Sequence, residues 1–411
     1  MRKIKFIKGG YYIMLRFRKM KGLAVLMSIC MLFGMINTNA YAQGDNTASD
    51  HYEEESAIQL FGLGTAEAVT GSAIYVGGPD ATGGNDGSST KPYLTLKEAA
   101  VAINGKGAGS HQIIMLGDTS ESSRVDFGNG EAFNISITTS PVSEGAIRIS
   151  KTSKDDSMIF ISNNTTLTLE GRSAKEKLIF DGGGETYKGN YALINVWDTG
   201  TLNLNANTSI QNRINTYISP GLNHQGGGII NHGTLNINGG EVSNNRNYYG
   251  GGIFNYGNLI MNSGSISNNY GDNKGGGVYN LGYSFTLYSG TISNNTGSSG
   301  SGLYNDEGDI IINGGTITQN SSDCIYNNGT ITMNDGEITA NDGSQTIRNV
   351  NGIYNMTGGT ISNNKHTANP GYFRAIEMSG NGEFNLSGGS IINNQGGTTV
   401  YVTAGHFNMT G

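Results

Sequence analysis

The sequence predicts an all-β protein, a right-handed parallel β-helix with a short capping helix near its N-terminal end. Three observations lead to this prediction: a repeat of 22–29 residues, strand-like alternation inside each copy, and columns of like residues in successive copies. A period of this length is typical of solenoids, in which no copy buries its apolar face alone and stacked copies share one core.

The regular repeats occupy residues 226–411. The first copy, GGGIINHGTLNINGGEVSNN, begins at Gly226 and is followed by three close copies. Within it, Leu235 and Ile237 alternate with polar residues, the period-two pattern of a strand with one buried face. The aliphatic residue after the glycines recurs in eight copies as Ile229, Ile253, Val278, Leu303, Ile325, Ile347, Ile376 and Val400.

One asparagine closes each copy and predicts the stacking direction. Like residues at like positions imply parallel, in-register coils whose side-chain amides bond to one another. Asparagine also marks turns, but a column without a gap in seven copies favours a ladder. The predicted ladder consists of Asn245, Asn269, Asn295, Asn320, Asn341, Asn364 and Asn394. A second column consists of Asn231, Asn255, Asn280, Asn305, Asn327 and Asn349.

Other repeat folds fit the sequence less well. The leucine-rich repeat needs an L-x-x-L-x-L strand, a propeller blade needs about 40 residues, and calcium-binding nonapeptides need an aspartate in every turn. None of these patterns is present in the repeats. The parallel β-helix is therefore the fold that the period favours.

Residues 1–42 are interpreted as a secretory signal peptide. They carry eight Lys and Arg residues and no acidic residue, and an apolar run at 22–36 precedes a small-x-small pattern that ends at Ala42. We therefore expect a bacterial protein that is secreted or displayed at the cell surface. Residues 43–72 are acidic and without pattern, and we expect them to form a flexible linker.

Composition excludes several classes of partner. Without the signal peptide, 17 basic residues stand against 32 acidic ones, a net charge of −15. Nucleic acids and anionic membranes need a basic footprint, so neither is an expected partner. One cysteine, Cys324, remains after the signal peptide is removed, which excludes an internal disulfide. We expect a monomer without a membrane span.

A separate signal precedes the repeats. Residues 73–76 read as a strand, and Thr95 and Glu98 form a capping box before a helical pattern. The segment Tyr75-Val76 … Lys91-Pro92-Tyr93-Leu94-Thr95-Leu96 resembles the N-terminal entry of the pectate-lyase-like right-handed β-helix superfamily. The resemblance implies that this helix plugs the open end of the core.

The repeat tract resembles the GGxIxN repeats of bacterial surface β-helix proteins of the adhesin-like kind. This resemblance covers residues 226–411 and concerns the fold, since one fold hosts many functions. The chain stops at Gly411 in the middle of a predicted coil, and we expect that the sequence is truncated there because terminal repeats need capping.

The irregular coils at 110–225 leave an enzymatic alternative open. A polysaccharide lyase needs clustered carboxylates and a basic residue, and a glycoside hydrolase needs two carboxylates in a groove. Asp181 before three glycines, with Asp198 in the next coil, is the candidate pair, although an aspartate at this position usually marks a turn. Charged residues of the repeats, such as Asp323, Arg348 and Arg374, fall in different turns and are not expected to cluster.

An aromatic residue occupies one position in four successive coils: Phe254, Tyr279, Tyr304 and Tyr326. Because their neighbours point inward, these rings are expected to point outward as a stripe. The stripe either stabilises the stack or offers a platform for the flat faces of sugars. The histidines lack metal-ligand spacing, so no metal and no cofactor is expected. We therefore predict a structural and adhesive module, without a catalytic centre in the repeats, that contacts polysaccharides or surface proteins.

Overall fold

The computed structural model describes residues 73–215 and 226–410, and near the N-terminus the strands β1 (Arg2–Lys8) and β2 (Tyr11–Phe17), which pair antiparallel. The chain consists of two compact units, Met1–Ala68 and Val69–Gly411. The apolar run of the predicted signal peptide and the predicted linker lie outside the described residues.

The first part of the second unit consists of irregular coils. Their strands are β3 (Ile74–Val76), β4 (Gly109–Met115), β5 (Thr119–Glu121), β6 (Val125–Phe127), β7 (Phe133–Thr139), β8 (Ile147–Lys151), β9 (Ile159–Ile161), β10 (Thr165–Glu170), β11 (Leu178–Asp181), β12 (Ile194–Val196), β13 (Thr201–Asn205) and β14 (Thr208–Gln211). One α-helix, α1 (Leu96–Lys106), and one 3-10 helix, η1 (Gly184–Tyr187), lie between them.

The regular coils follow. Their strands are β15 (Ile229–Asn231), β16 (Thr234–Ser243), β17 (Arg246–Tyr249), β18 (Ile253–Asn255), β19 (Asn258–Ser267), β20 (Tyr270–Lys274), β21 (Val278–Leu281), β22 (Ser284–Leu287), β23 (Thr291–Ser293), β24 (Thr296–Ser299), β25 (Leu303–Asp306), β26 (Asp309–Thr318), β27 (Ile325–Asn327), β28 (Thr330–Thr339), β29 (Gln345–Val350), β30 (Ile353–Met356), β31 (Thr360–Ser362), β32 (Arg374–Ser379), β33 (Glu383–Leu386), β34 (Ser390–Ile392), β35 (Thr398–Val402) and β36 (His406–Met409). A second 3-10 helix, η2 (Pro370–Tyr372), lies before β32.

These strands form three stacked parallel sheets. We call the twenty-stranded sheet the broad sheet, the sheet of β17, β20 and β24 the short sheet, and the eleven-stranded one the narrow sheet. The narrow sheet consists of β6, β9, β12, β15, β18, β21, β25, β27, β29, β32 and β35. The predicted all-β parallel β-helix is confirmed, and the right-handed sense of its coil stays a prediction.

The helix α1 begins at a capping box formed by Thr95 and Glu98. Its buried face, which includes Leu96 and Ile103, belongs to the main hydrophobic core and packs against β3, β5 and β6. Glu121 on β5 accepts a hydrogen bond from the backbone N–H of Leu96 at 2.7 Å. This bond fixes the helix onto the first coils. There the helix covers apolar side chains of the core, in the place that a preceding coil would take, since none precedes them among the described residues.

Two columns of asparagines run along the stack. In the first, each side-chain amide donates to the next, with Nδ2–Oδ1 distances of 2.9–3.2 Å from Asn245 to Asn394. In the second, from Asn231 to Asn349, the same distance is 2.7–3.0 Å. Both columns lie at corners of the coil and leave the aliphatic side chains to fill its interior.

The corner of the first column is tight. The residue before each ladder asparagine has a left-handed backbone, as in Asn244 with φ 55° and Asn294 with φ 54°. Asparagine tolerates this conformation better than other non-glycine residues, because its side chain bonds locally. The pair of asparagines that ends most copies therefore combines a turn residue with a ladder residue.

Candidate binding face

The outer face of the narrow sheet carries one residue from each strand at the same register position. Strand alternation turns these residues outward, because their neighbours on both sides, such as Ile159 and Ile161, lie in the core. From β9 to β35 the register aligns Phe160, Asn195, Ile230, Phe254, Tyr279, Tyr304, Tyr326, Arg348, Glu377 and Tyr401.

The predicted stripe of Phe254, Tyr279, Tyr304 and Tyr326 is part of this aligned series of residues, and we call it the aromatic column. Successive ring centroids are 4.8, 5.0 and 4.3 Å apart. The first three rings are buried, with exposed fractions of 1%, 6% and 4%, in a hydrophobic cluster separate from the main core. These rings therefore form a packed column, which favours the alternative that they stabilise the stack, and ligand binding by the four rings stays a prediction.

The packing of the aromatic column depends on the glycine corners beside it. Gly275 has φ 64°, and a Cβ atom there would lie 2.7 Å from the Cβ of Tyr279. A second interaction fixes the same ring, since the Tyr279 hydroxyl donates to Asp306 Oδ2 at 2.6 Å. Burial, followed by this carboxylate, raises the pKa of Tyr279, so its hydroxyl stays protonated as a donor.

A second set of rings extends from the aromatic column toward the N-terminal coils and is more exposed to solvent than the column. We call Phe160, Trp197, His232 and Tyr256 the aromatic row. Their ring centroids are separated by 5.9, 5.3 and 5.3 Å in four successive coils. Trp197 is 44% exposed and the other three are half-buried. The row reaches the aromatic column where Tyr256 contacts Phe254 at 4.8 Å.

Sequence reasoning missed the aromatic row because its members come from two register positions. Phe160 lies on its strand, whereas Trp197, His232 and Tyr256 are the first residues after β12, β15 and β18. The available signal was the aromatic residue directly after the second asparagine column, as in Asn231-His232 and Asn255-Tyr256. Burial lowers the pKa of His232, against the opposing charge of Asp198, so its imidazole is neutral at neutral pH.

Two arginines lie beside the rings, Arg124 next to Phe160 and Arg348 next to Tyr326, and acidic residues balance their charge. Arg124 lies 4.8 Å from the ring centroid of Phe160 and pairs with Asp126 at 2.7 Å. Arg348 lies 5.8 Å from the ring centroid of Tyr326. The face therefore combines aromatic rings with neutralised ion pairs instead of a single-sign field.

The acidic and basic residues of the later repeats do cluster, contrary to expectation. Arg348 lies 3.5 Å from a carboxylate oxygen of Asp323 and 3.9 Å from one of Glu377, and Arg374 lies 2.8 Å from Glu377. Burial raises the pKa of Asp323, and Arg348 opposes this shift. The sequence hid the cluster because Asp323 precedes its strand whereas the other residues lie on theirs, so they share no repeat position.

The candidate catalytic aspartates of the irregular coils have different surroundings. Asp181 accepts hydrogen bonds from the backbone of Gly183 at 2.8 Å, from Asn212 at 3.0 Å and from Arg148. Its carboxylate therefore fixes the turn and the neighbouring coils. Asp198 follows β12 of the narrow sheet, whereas Asp181 ends β11 of the broad sheet, so the two lie on different sides of the coil.

The described residues contain no group of three or more His, Cys, Asp or Glu side chains that could hold a metal ion. In the same part of the chain, no helix has both the length and the apolar character that crossing a bilayer requires. Cys324 is fully buried in the core, and burial raises the pKa of its thiol. A buried thiol with a raised pKa is a packing residue and not a nucleophile.

Comparison with protein-family models, curated proteins and solved structures gives no match for this chain. The parallel β-helix rests on the structure itself. Membership of the pectate-lyase-like superfamily stays a prediction from the motif around Lys91-Pro92.

Proposed function

We propose that this protein is an exported, surface-associated or secreted β-helix that acts as a structural and adhesive module and binds glycans on the outer face of its narrow sheet. The carrying observation is the aromatic row, four rings in successive coils with 5.3–5.9 Å between centroids and Trp197 open to solvent. Aromatic side chains supply large apolar faces with a polar edge, the surface that a sugar ring needs.

The position of the aromatic row supports this role. It runs along β9, β12, β15 and β18, which pair in register in one parallel sheet, so the scaffold presents the rings rigidly and at similar spacing. A rigid surface loses little conformational entropy on binding. The direction of the row, along the stack of coils, suits an extended chain better than a single small molecule.

The chain contains a single tryptophan, Trp197, which makes its fluorescence a reporter placed on the row. We expect soluble polysaccharides of the correct class to quench or shift this fluorescence in a saturable titration. A panel of neutral glucans, xylans and polyuronates, each with and without Ca²⁺, identifies the class. Replacing Tyr256 by serine removes a stacking partner and should weaken binding about tenfold, since 1.4 kcal/mol corresponds to a factor of ten.

Tyr372→Ser is the matched control, because Tyr372 is 64% exposed and lies on η2 away from the row. It should bind as the unaltered protein does. The proposal fails if no polysaccharide of the panel changes Trp197 fluorescence, or if the two tyrosine variants bind equally.

The enzymatic alternative, a polysaccharide lyase or glycoside hydrolase with its site at 110–225, stays an untested prediction. This alternative depends on Asp181, and the hydrogen bonds of that residue favour a structural role in the turn. Reducing-end release or the ultraviolet absorbance of unsaturated products, measured on the same panel, would detect such an activity.

A further inference from the structure

A buried arginine lies at the corner of the coil where the first asparagine column begins. Arg213 has no exposed surface. Its Nε donates to the carbonyl of Tyr191 at 2.8 Å and its Nη1 to that of Tyr187 at 2.6 Å. Its Nη2 is shielded from solvent and has no hydrogen-bond partner. The guanidinium is thus held by neutral carbonyls, and one of its donors has nothing to bond to.

A second cation is buried at the same corner. Lys151, at the end of β8, is 1% exposed. Burial, with a smaller contribution from the charge of Arg213, lowers the pKa of Lys151 to about 8. At neutral pH the ammonium is therefore still charged. The two residues belong to one corner, because a Cβ atom on Gly182 would lie 2.6 Å from the Cα of Arg213 and one on Gly183 would lie 3.0 Å from the carbonyl oxygen of Lys151.

The described part of the chain supplies no carboxylate within ion-pairing distance of either cation. Asp155 and Asp156 act on Lys151 only from farther away, and Asp156 pairs with Arg124. The sequence from 216 to 225 contains no Asp or Glu. Buried charges are ordinarily paired, because desolvation of an uncompensated ion costs several kcal/mol.

The fold does not need a guanidinium at this position. The backbone N–H of Arg213 donates to Asn245 Oδ1 at 3.0 Å, as the N–H of Asn245 donates to Asn269 at 3.0 Å. Arg213 thus occupies the ladder position of its coil, where the following coils carry asparagine. A neutral amide would complete the column, so the charge serves a purpose other than the corner.

We propose that Arg213 and Lys151 form a binding site for a small oxyanion, a carboxylate, sulfate or phosphate group, at this corner beside η1. The Nη2 atom of Arg213 and the Lys151 ammonium are the donors. A guanidinium whose Nη2 amino group is free and an ammonium at the same corner match the acceptor oxygens of such groups. The bound anion offsets the buried positive charge and so stabilises the folded chain.

Equilibrium unfolding in urea tests the site, because an anion that binds only the folded chain raises the free energy of unfolding, however slowly it enters the site. The full chain is compared with Arg213→Asn, the residue that the next coil carries, in sodium chloride and with added sulfate, phosphate, acetate or a monomeric hexuronate at constant ionic strength. A bound anion raises the folding equilibrium constant about a hundredfold at a hundred times its Kd. We expect a saturable rise for the unaltered protein with at least one anion.

Arg213→Asn is the control for general salt effects, because sulfate and phosphate also stabilise proteins by exclusion from the surface. It should lack the saturable part and be at least as stable as the unaltered protein in chloride alone. Lys151→Met, measured in the same way, should reduce the response and provides the test if Arg213→Asn does not fold.

Comparison of the stabilisation by the different anions identifies which kind of oxyanion the site binds. Saturation by sulfate and phosphate alone indicates an inorganic anion, whereas saturation by acetate or hexuronate alone indicates a carboxylate group. Parallel responses of the unaltered protein and both variants to every anion would overturn the proposal. The readout is independent of Trp197 fluorescence and of the polysaccharide titration, so it does not depend on glycan binding at the narrow sheet.

Discussion

The corner after the broad sheet is built from amides in the regular coils and from charges in the irregular ones. In the regular coils Asn295 donates to the Ile266 carbonyl at 2.9 Å and to Asn320 at 3.1 Å, and accepts from the backbone N–H of Asn269 at 2.9 Å. One coil before the column, Arg213 leaves a donor without a partner. At this corner the repeated asparagines therefore satisfy one another, whereas the irregular coil brings a guanidinium that the stack alone does not satisfy.

The largest effect is expected from breaking the column in its regular part. Asn295→Ala leaves the backbone N–H of Asn269 and the carbonyl of Ile266 buried without this partner. Each such group costs about 1–3 kcal/mol, so we expect a loss of about 2–6 kcal/mol in the free energy of unfolding. Urea unfolding followed by far-UV circular dichroism measures it.

Asn334→Ala is the matched control, since Asn334 also donates to an asparagine of the preceding coil, Asn313 at 2.8 Å, but is exposed. Its change should stay near 0.5 kcal/mol, as is usual for surface substitutions. Equal losses in the two variants would mean that burial does not set the strength of the column.

The N-terminal end of the irregular coils should make stability depend on pH. Burial raises the pKa of Glu121 from 4.5 to about 7, against the two helix N–H groups that bond to its carboxylate. When the pKa of a carboxyl group is higher in the folded than in the unfolded state, its protonated form stabilises the fold. This contribution is complete below the unfolded pKa and is lost as pH rises through the folded pKa. Between about pH 4.5 and pH 7 we expect a fall on the order of 3 kcal/mol, measured by urea unfolding at each pH.

Glu121→Gln removes the titration while leaving an acceptor oxygen for the N–H of Leu96. The stability of this variant should be flatter over the same pH range. A slope equal to that of the unaltered protein would assign the pH dependence to other groups.

The smallest effect is expected in the aromatic column, where stacking already holds the rings. Tyr279→Phe removes the hydrogen bond to Asp306 but keeps the ring between Phe254 and Tyr304. We expect a loss of about 1 kcal/mol in the free energy of unfolding. Tyr283→Phe, whose ring is 52% exposed, should change it by less. A larger loss for Tyr283→Phe would contradict the assigned bond.

The candidate binding face could be predicted only in part. The aromatic column was visible because its residues share one repeat position, but its burial was not, since the side chains that cover it come from neighbouring corners. Lys274 illustrates this, because its ammonium lies 4.6 Å from the ring centroid of Tyr304 although it comes from the short sheet and not from the narrow sheet. The aromatic row was hidden because Trp197 and Phe160 belong to coils of unequal length.

The sequence by itself determined the parallel stack, because a residue repeated at one position in every coil lies above its copy, and this fixes both the core and the asparagine columns. Only the tertiary structure decided which outward side chains are covered, which charges meet and which donors of the irregular coils are left without partners. The physical reason is that burial of an outward side chain depends on the lengths of neighbouring corners, and these follow no period. Arg213, Trp197 and Asp323 all belong to this second class.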